Sequence, residues 1–141
     1  MTKALSPRLQ EIVDALPLRP GMRVLEIGCG PGAAARVVAR RIGGGHVLAI
    51  DRSSRAIEQA KANCAVEIES GLLELRQAAI EDFELRDGEP PYDLAFAVRV
   101  GALDGRHPEA GRRALQRIAA ALGPGGCLLI DGGDPLRELP L

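Results

Sequence analysis

The sequence predicts an α/β fold in which a mostly parallel sheet of about five strands is covered by helices on both faces. Short apolar runs alternate with stretches whose apolar residues recur at helical spacing, which gives the order α-β-α-β-α-β-β-α-β. The chain has 141 residues and is 46% apolar, enough for one domain over residues 1–141 with its own core.

The first helix is predicted to begin at Ser6 and Pro7, because serine caps a helix N-terminus and proline fits its first position. This helix lies within an N-terminal segment over residues 1–20. The elements predicted after it are a strand over 23–27, a helix ending at the glycines 43–45, a strand over 46–51, a helix capped by Ser53 and stopped by Gly71, strands over 72–77 and 92–98, a helix around 115–122, and, after a turn, a strand over 127–131.

Composition disfavours several classes of function. The formal net charge is -1 and the pI is about 6.1, so no general positive field exists to attract nucleic acid. The three cysteines are widely spaced and no Cys/His cluster is present, so we expect no disulfide framework, no metal site and reduced thiols in a cytoplasmic protein. No apolar run approaches the ~20 residues of a membrane span, and no signal-peptide core is present.

The stretch VLEIGCGPG, residues 24–32, places glycines directly after the first strand. Glycines at this position let the backbone approach a ligand closely, and exposed N–H groups there favour a polar or negative ligand group. Gly28, Gly30 and Ala33 satisfy the dinucleotide pattern G-x-G-x-x-[G/A], whereas Gly28, Gly30 and Gly32 satisfy G-x-G-x-G. The glycines alone therefore leave two kinds of cofactor open.

Glu26 distinguishes the two cofactors, whereas Asp51 at the end of the second strand suits the ribose of either. A pyrophosphate close to the Glu26 carboxylate would be repelled by about 4 kcal/mol for unit charges at an effective dielectric constant of 20. A ligand with a cationic amino group or sulfonium would be attracted instead. Glu26 can also accept hydrogen bonds from its own loop, and the two roles are compatible.

At this point the chain resembles the class I S-adenosylmethionine-dependent methyltransferases. The resemblance covers roughly residues 5–131 and rests on LRPGMRVLEIGCGPG, on HVLAIDRSSRAIEQA, where an acid ends the second strand, and on YDLAFAV and LGPGGCLLID, which resemble the fourth and fifth strands. It implies a Rossmann-like three-layer sandwich with strand order 3-2-1-4-5, and S-adenosylmethionine as the cofactor.

The resemblance also implies the residues that bind the cofactor. They are Glu26, Gly28, Cys29, Gly30, Gly32, Asp51, Arg52, Ala79, Ile80, Glu81, Val98 and Arg99. Glu26 would lie near the cofactor's amino group, Asp51 would accept from the ribose hydroxyls, and Arg52 would lie along one face of adenine. Ala79 departs from the family, which frequently has an aspartate there, so Glu81 or Asp82 is expected to replace that acceptor or to form a solvated turn.

No catalytic residue is predicted firmly, because a sulfonium donor is already activated and the protein mainly orients the reactants. Arg99 and His107 are the two candidates. Arg99 follows the fourth strand, where it would either bind an acidic substrate or pair with a loop carboxylate. His107 is either a base near neutral pH or, with Pro108, the lead into the last helix.

A short tail, residues 132–141, follows the fifth strand, whereas family members continue with a helix and an antiparallel strand pair. Pro135 and Pro140 make this tail a poor strand former, so the fifth strand is expected at the edge of the sheet. Bare edges template association. We therefore expect a homodimer through this edge, or coverage of the edge by the tail or by a missing partner.

Three functions remain open from the sequence. The first is methyl transfer from S-adenosylmethionine to a small-molecule acceptor, without nucleic acid or membrane as partner. The second is a non-catalytic S-adenosylmethionine-binding module or subunit, favoured by Ala79 and by the missing strands. The third is a nicotinamide-dependent oxidoreductase, which only the G-x-G-x-x-A pattern supports.

Overall fold

A computed structural model describes residues 5–141, and residues 1–4 of the predicted N-terminal segment lie outside the described residues. The helices are α1 (Pro7–Ala15), α2 (Ala33–Arg41), α3 (Ser54–Asn63), α4 (Ala65–Glu69) and α5 (Pro108–Ala121). The strands are β1 (Arg23–Ile27), β2 (His46–Asp51), β3 (Leu73–Gln77), β4 (Tyr92–Ala97), β5 (Leu122–Asp131) and β6 (Leu136–Leu139).

The six strands form one sheet in the order β3-β2-β1-β4-β5-β6, with every neighbouring pair parallel except β5 and β6. Val24 packs with α1, α2 and α3 on one face of the sheet, and Leu25 packs with α5 on the other. The predicted Rossmann-like order over the first five strands is thus confirmed. None of the helices within residues 5–141 has the length and apolar character that crossing a membrane requires.

The predicted helix starts agree with the structure. The Ser6 hydroxyl accepts from the Leu9 N–H, and the Ser53 hydroxyl accepts from the Ala56 N–H, each at 3.2 Å. These hydrogen bonds satisfy donors that the first turn of a helix leaves unpaired. The capped helices α1 and α3 therefore begin where the sequence predicts them, at Pro7 and at Ser54.

The third helix differs from its prediction, because it is split into α3 and α4 at Cys64. The Asn63 side chain donates to the Pro31 carbonyl at 3.0 Å, and the Cys64 thiol donates to the Gly32 carbonyl at 3.5 Å. The break therefore lies where two side chains contact the glycine loop.

The fifth strand is longer than predicted, since β5 begins at Leu122 and not at Cys127. Leu122 pairs with Tyr92 and Cys127 pairs with Leu94, so five steps along β5 match two along β4. The glycines predicted as a turn form a bulge inside the strand, with Gly125 at φ 79°.

The tail corrects the prediction of a bare β5 edge, and with it the predicted homodimer through that edge. β6 pairs antiparallel with β5, from Leu128 opposite Leu139 to Asp131 opposite Leu136. Pro135 and Pro140 flank this strand, so neither removes a donor from it. Coverage by the tail was one of the predicted alternatives, and the new edge strand carries exposed charges that oppose further pairing.

Candidate functional site

Two clefts lie at the carboxyl ends of the parallel strands, where β1 is flanked by β2 on one side and by β4 on the other. The first cleft has a volume of about 510 Å³, and Asp51, Arg52, Ala79, Ile80, Glu81 and His107 are among its lining residues. The second cleft has a volume of about 330 Å³ and lies between the glycine loop and α1, with Glu26, Cys29, Gly30 and Val98 among its lining residues. Gly28 and Arg99 line both clefts. This edge is where ligands bind in open α/β sheets.

Gly32 is the one predicted site residue that lines neither cleft. Its φ is 86°, and a Cβ there would lie 2.7 Å from the Cys64 Sγ atom. Gly32 therefore lets α3 approach the start of α2. A Cβ at Gly30, by contrast, would meet no atom of the described residues within 4 Å, so the described part of the chain leaves the space above Gly30 open.

The N–H groups of the glycine loop are already used by the protein. Those of Gly28 and Cys29 donate to the Ile50 carbonyl at 2.9 and 3.0 Å, and that of Gly30 donates to the Asp51 Oδ2 atom at 2.9 Å. The sequence-based expectation of exposed donors for a negative ligand group is wrong at these three positions. A pyrophosphate would find neither a cradle of N–H groups nor a favourable charge here.

Glu26 lies beneath this loop and is only 4% exposed. The N–H of Ala35 donates to its carboxyl, but its Oε1 atom is buried without a hydrogen-bond partner among the described residues. Burial, and secondarily the charge of Asp51, raises the pKa of Glu26 from 4.5 to about 8. A buried oxygen without a donor is costly to leave unpaired, so this position favours a ligand that brings a donor, above all a cationic one.

Asp51 ends β2, and its carboxylate connects the glycine loop after β1 to the start of α3 after β2. Its Oδ2 atom accepts from the Gly30 N–H, and its Oδ1 atom accepts from the Ser53 N–H at 2.9 Å. Each carboxylate oxygen has more than one lone pair, so Asp51 retains acceptor capacity toward the first cleft.

The far wall of the first cleft contains the segment around the 3₁₀ turn Ile80–Asp82. The side chain of Glu81 is 14% exposed and lines the cleft, with its Oε1 atom 4.0 Å from the Arg52 Nη2 atom. Asp82 instead pairs with Arg113 at 2.6 Å. Of the two predicted replacements for the missing aspartate at Ala79, only Glu81 faces the cleft.

Arg99 has a left-handed backbone, with φ 57°, which is unusual for a residue with a side chain. Its main-chain N–H donates to the Asp131 Oδ1 atom at 3.0 Å. Within residues 5–141 its guanidinium makes no ion pair, so the predicted pairing with a loop carboxylate is absent and the ligand-binding alternative remains. His107 both lines the first cleft and precedes α5, so its two predicted roles are compatible.

The contribution of α1 to the second cleft does not follow from the sequence patterns. Ser6, Arg8, Leu9 and Ile12 line the second cleft, opposite the glycine loop. The amphipathic spacing of α1 predicts a buried face, but no pattern in the sequence indicates which part of the sheet that face covers. The one sequence signal that could have indicated a ligand site here was the charged residue Arg8 in the first turn of the helix.

Comparison with known proteins agrees with this geometry. A family model described as a methyltransferase domain matches residues 24–126. Trans-aconitate 2-methyltransferase from Paracidovorax citrulli is 31% identical over 128 residues, which are 91% of this chain and 45% of that protein. Ribosomal RNA large subunit methyltransferase E from Sorangium cellulosum is 34% identical over 139 residues, covering 86% of this chain and 62% of that protein.

Among solved structures, a S-adenosylmethionine-dependent methyltransferase from Thiobacillus denitrificans in complex with S-adenosylhomocysteine superposes with a TM-score of 0.68 at 25% identity. The match covers 92% of this chain and 50% of that one. The chain thus spans between 45% and 62% of the length of these three proteins.

Proposed function

Because the chain belongs to the family of class I S-adenosylmethionine-dependent methyltransferases, we propose that it binds S-adenosylmethionine and transfers the methyl group to a small-molecule acceptor. The named relatives act on acceptors as different as trans-aconitate and ribosomal RNA, so their names do not identify the acceptor of this chain. The net charge of -1 favours a small molecule over a nucleic acid. Three free thiols suit a reducing cytoplasm.

The observation that carries this proposal is the unpaired Oε1 atom of Glu26, buried beneath a loop whose N–H groups are already used. An ammonium group donates to such an oxygen and also stabilises the charged form of the carboxyl. The same two features oppose the pyrophosphate of a nicotinamide cofactor.

The two clefts suit the two ends of S-adenosylmethionine. We place the adenosine in the first cleft, where Asp51 accepts from the ribose, Ile80 packs on adenine and Glu81 accepts from the adenine amino group. We place the amino-acid portion in the second cleft, with its ammonium against Glu26. Gly28, which lines both clefts, lies between them.

The cofactor supplies an activated methyl group, and the residues of this chain orient the acceptor and exclude water. The backbone from Arg99 to Ala102 borders the first cleft beside Gly28, so an acceptor there would approach from the α5 side. His107 is exposed at the rim and can take a proton from an acceptor that is a poor nucleophile in its neutral form.

Titration calorimetry with S-adenosylmethionine, S-adenosylhomocysteine and NAD tests the binding step. We expect the first two to bind and NAD not to bind, and Glu26→Gln to weaken S-adenosylmethionine at least tenfold, the scale of one charged hydrogen bond. Glu81→Gln, which keeps an acceptor oxygen at a neighbouring part of the site, is the matched control and should have a smaller effect. Binding of NAD without S-adenosylmethionine would contradict the proposal.

A binding role without turnover is the second candidate function, and the alanine at position 79 favours it. Release of S-adenosylhomocysteine from S-adenosylmethionine in the presence of a metabolite mixture separates the two. We expect turnover that depends on the added mixture. Tight binding with no product from any mixture would favour the binding role.

A further inference from the structure

A third cavity lies between α5 and the end of β6, and we call it the α5 groove. Its lining residues come from the loop before α5, from α5 itself between Pro108 and Ala119, and from residues 139–141. Its volume is about 560 Å³, within the range of about 300–1,000 Å³ that is typical of small-molecule sites. The stretch of α5 that borders it is about 16 Å long, at about 1.5 Å per residue. The groove is therefore long enough for an extended ligand.

Helix α5 has two apolar faces, and only one of them is needed to hold it on the sheet. Ala114 and Ile118 are fully buried and belong to the core on this side of the sheet. Leu115 and Ala119 each follow one of these residues by one position and line the α5 groove instead. Leu115 is only partly buried and Ala119 is exposed. The second apolar face is thus available to a ligand.

The facing wall and the charges of the α5 groove indicate an apolar occupant. Leu139 of β6 packs against the same core as α5, and Leu141 beyond it is 53% exposed. Within residues 5–141 no acidic side chain lines the groove, and Arg112 is the only arginine or lysine that does. The Arg112 Nη2 atom is already paired with the Glu109 Oε2 atom at 2.8 Å. An apolar chain would leave water in this groove without displacing any ion pair.

The α5 groove is continuous with the first cleft, because Ala102 and His107 line both cavities. Gly111 fixes the position of this shared border. Its N–H donates to the His107 carbonyl at 2.8 Å, and a Cβ at Gly111 would lie 2.6 Å from the Ala102 carbonyl oxygen. Glycine at this position therefore lets the loop before α5 lie directly against the helix. One molecule can occupy both cavities by passing this border.

We propose that the α5 groove binds an aliphatic chain of the methyl acceptor, whose polar end lies at the border with the first cleft, beside His107. The acceptor is then an amphiphile, with a nucleophilic group at one end and an uncharged apolar chain along Leu115 and Ala119. The continuity of the two cavities selects this occupant, since the apolar surface begins where the first cleft ends. The inference rests on the proposed function, which supplies the cofactor in the first cleft, and it names the class of acceptor.

The first experiment measures how affinity depends on chain length. Straight-chain alcohols from butanol to octanol are titrated by calorimetry into the protein after saturation with S-adenosylhomocysteine. We expect the affinity to rise about two- to fourfold with each added methylene, as apolar burial predicts. Ala119→Glu places a carboxylate in the groove and should weaken octanol at least tenfold, because a buried charge without a partner is costly. Ala120→Glu is the matched control, since Ala120 is an exposed alanine of the same helix that does not line the groove.

The second experiment locates the bound alcohol by the two histidines of the chain. His107 lies at the border of the groove, whereas His46 begins β2 at the opposite end of the strands and serves as an internal control. The imidazole proton signals are followed by NMR while octanol is added. We expect the His107 signals to shift with the dissociation constant that calorimetry gives, and the His46 signals to stay in place. In Ala119→Glu the shift should need at least tenfold more octanol.

A second copy of this chain is the competing occupant of the groove. Light scattering over a range of protein concentrations, without alcohol, tests it. We expect the wild type and both variants to have the same mass at each concentration. A mass that doubles with concentration in the wild type and in Ala120→Glu, but not in Ala119→Glu, would overturn the proposal in favour of self-association.

The proposal is also overturned if affinity does not depend on chain length, if Ala120→Glu weakens octanol as much as Ala119→Glu does, or if the His107 signals do not move. Binding of S-adenosylhomocysteine, measured on the same samples, keeps these failures separate from a failure of the proposed function. If the cofactor still binds, the proposed function stands without this acceptor class. If the wild type binds neither S-adenosylmethionine nor S-adenosylhomocysteine, both are overturned.

Discussion

Glu26 and Glu67 are buried to nearly the same extent, at 4% and 2% exposed, but the protein treats them differently. The Oε2 atom of Glu67, in α4, accepts a hydrogen bond from the Arg40 Nε atom of α2 at 2.8 Å and lies 2.7 Å from the Arg40 Nη2 atom. Glu26 receives a main-chain N–H from Ala35, while its Oε1 atom has no hydrogen-bond partner within residues 5–141. One carboxyl is satisfied inside the fold and the other is not.

The difference indicates which buried charge is structural and which is reserved for a ligand. Two guanidinium nitrogens of Arg40 contact the Glu67 Oε2 atom, so the charge of that carboxyl is paired inside the fold and the pair joins two helices. Leaving a buried oxygen unpaired lowers stability, and such a cost is typical of binding sites. Burial alone would not have separated the two glutamates.

The largest effect that tests this comparison is the pH dependence of stability contributed by Glu26. The folded protein keeps the Glu26 proton up to about pH 8, whereas the unfolded chain releases it near pH 4.5. Between these values the folded state holds more protons, so the free energy of unfolding falls as the pH rises. Over the whole window the change is on the order of 4–5 kcal/mol, at about 1.4 kcal/mol for each pKa unit.

Glu26→Gln removes this titration. We expect the variant to be more stable than the wild type at pH 9 and closer to it at pH 5, measured by urea unfolding at both values. Together with its weaker binding of S-adenosylmethionine, a gain in stability would mark Glu26 as a residue kept for the ligand. Equal loss of stability at both pH values would contradict the assignment.

The next largest effect concerns the satisfied glutamate. Arg40→Ala leaves Glu67 buried without its partner, which destabilises proteins by about 3–5 kcal/mol. The half-exposed position of Arg40 lets water approach, so we expect about 2–3 kcal/mol by urea unfolding. Binding of S-adenosylmethionine should be unchanged when it is measured at a low temperature at which the variant is still folded. A variant that kept its stability but lost binding would reverse the roles of the two glutamates.

The same contrast shows what the sequence could predict. The position of Glu26 two residues before the first glycine of the loop is a local pattern, and strand periodicity correctly placed it at the end of β1. Glu67 lies in a stretch predicted as one continuous helix, and its burial depends on Arg40, 27 residues away. Local patterns do not encode such a long-range pair.

The second cleft shows the same limit on prediction. The strands and helix starts follow from periodicity and caps, and the resemblance to the methyltransferase family implies the strand order, so one wall of the site was predictable. Its other wall is α1, whose Arg8 pairs with Asp131 of β5, a residue distant in sequence. β6 was missed because the two prolines in the tail were taken to prevent a strand, yet both lie outside Leu136–Leu139.

Gly32 and Gly30 of the loop give a second comparison between a residue kept for the fold and a residue kept for the ligand. At Gly32 an alanine Cβ would collide with the Cys64 Sγ atom at 2.7 Å and the left-handed φ adds strain. We expect Gly32→Ala to lower the free energy of unfolding by about 2–3 kcal/mol. At Gly30 an added Cβ would meet no atom of residues 5–141 within 4 Å, so only the strain of about 1–2 kcal/mol applies.

The binding measurements should show the reverse order. Gly30→Ala fills part of the open space above the loop, so S-adenosylmethionine should bind more weakly to it than to Gly32→Ala at equal folded fraction. Unfolding curves and calorimetry on both variants check the pair. If Gly30→Ala binds as the wild type does, the loop does not border the cofactor at that residue.

The smallest effect tests the coupling between Glu26 and Asp51. The negative charge of Asp51 is the second cause of the raised pKa of Glu26, after burial. Asp51→Asn removes that charge, so the pKa of Glu26 should fall, by about one unit or less, which corresponds to about 1 kcal/mol. The upper end of the pH window in which stability declines should move down by the same amount, as measured by urea unfolding between pH 6 and pH 9.

Asp93→Asn is the control, because Asp93 also accepts a main-chain N–H, from Arg23 at 2.9 Å, but at the opposite end of the strands. Asp93→Asn should leave the window in place. If neither variant moved it, burial alone would set the proton affinity of Glu26; if both moved it equally, general charge and not the nearby Asp51 would explain the shift.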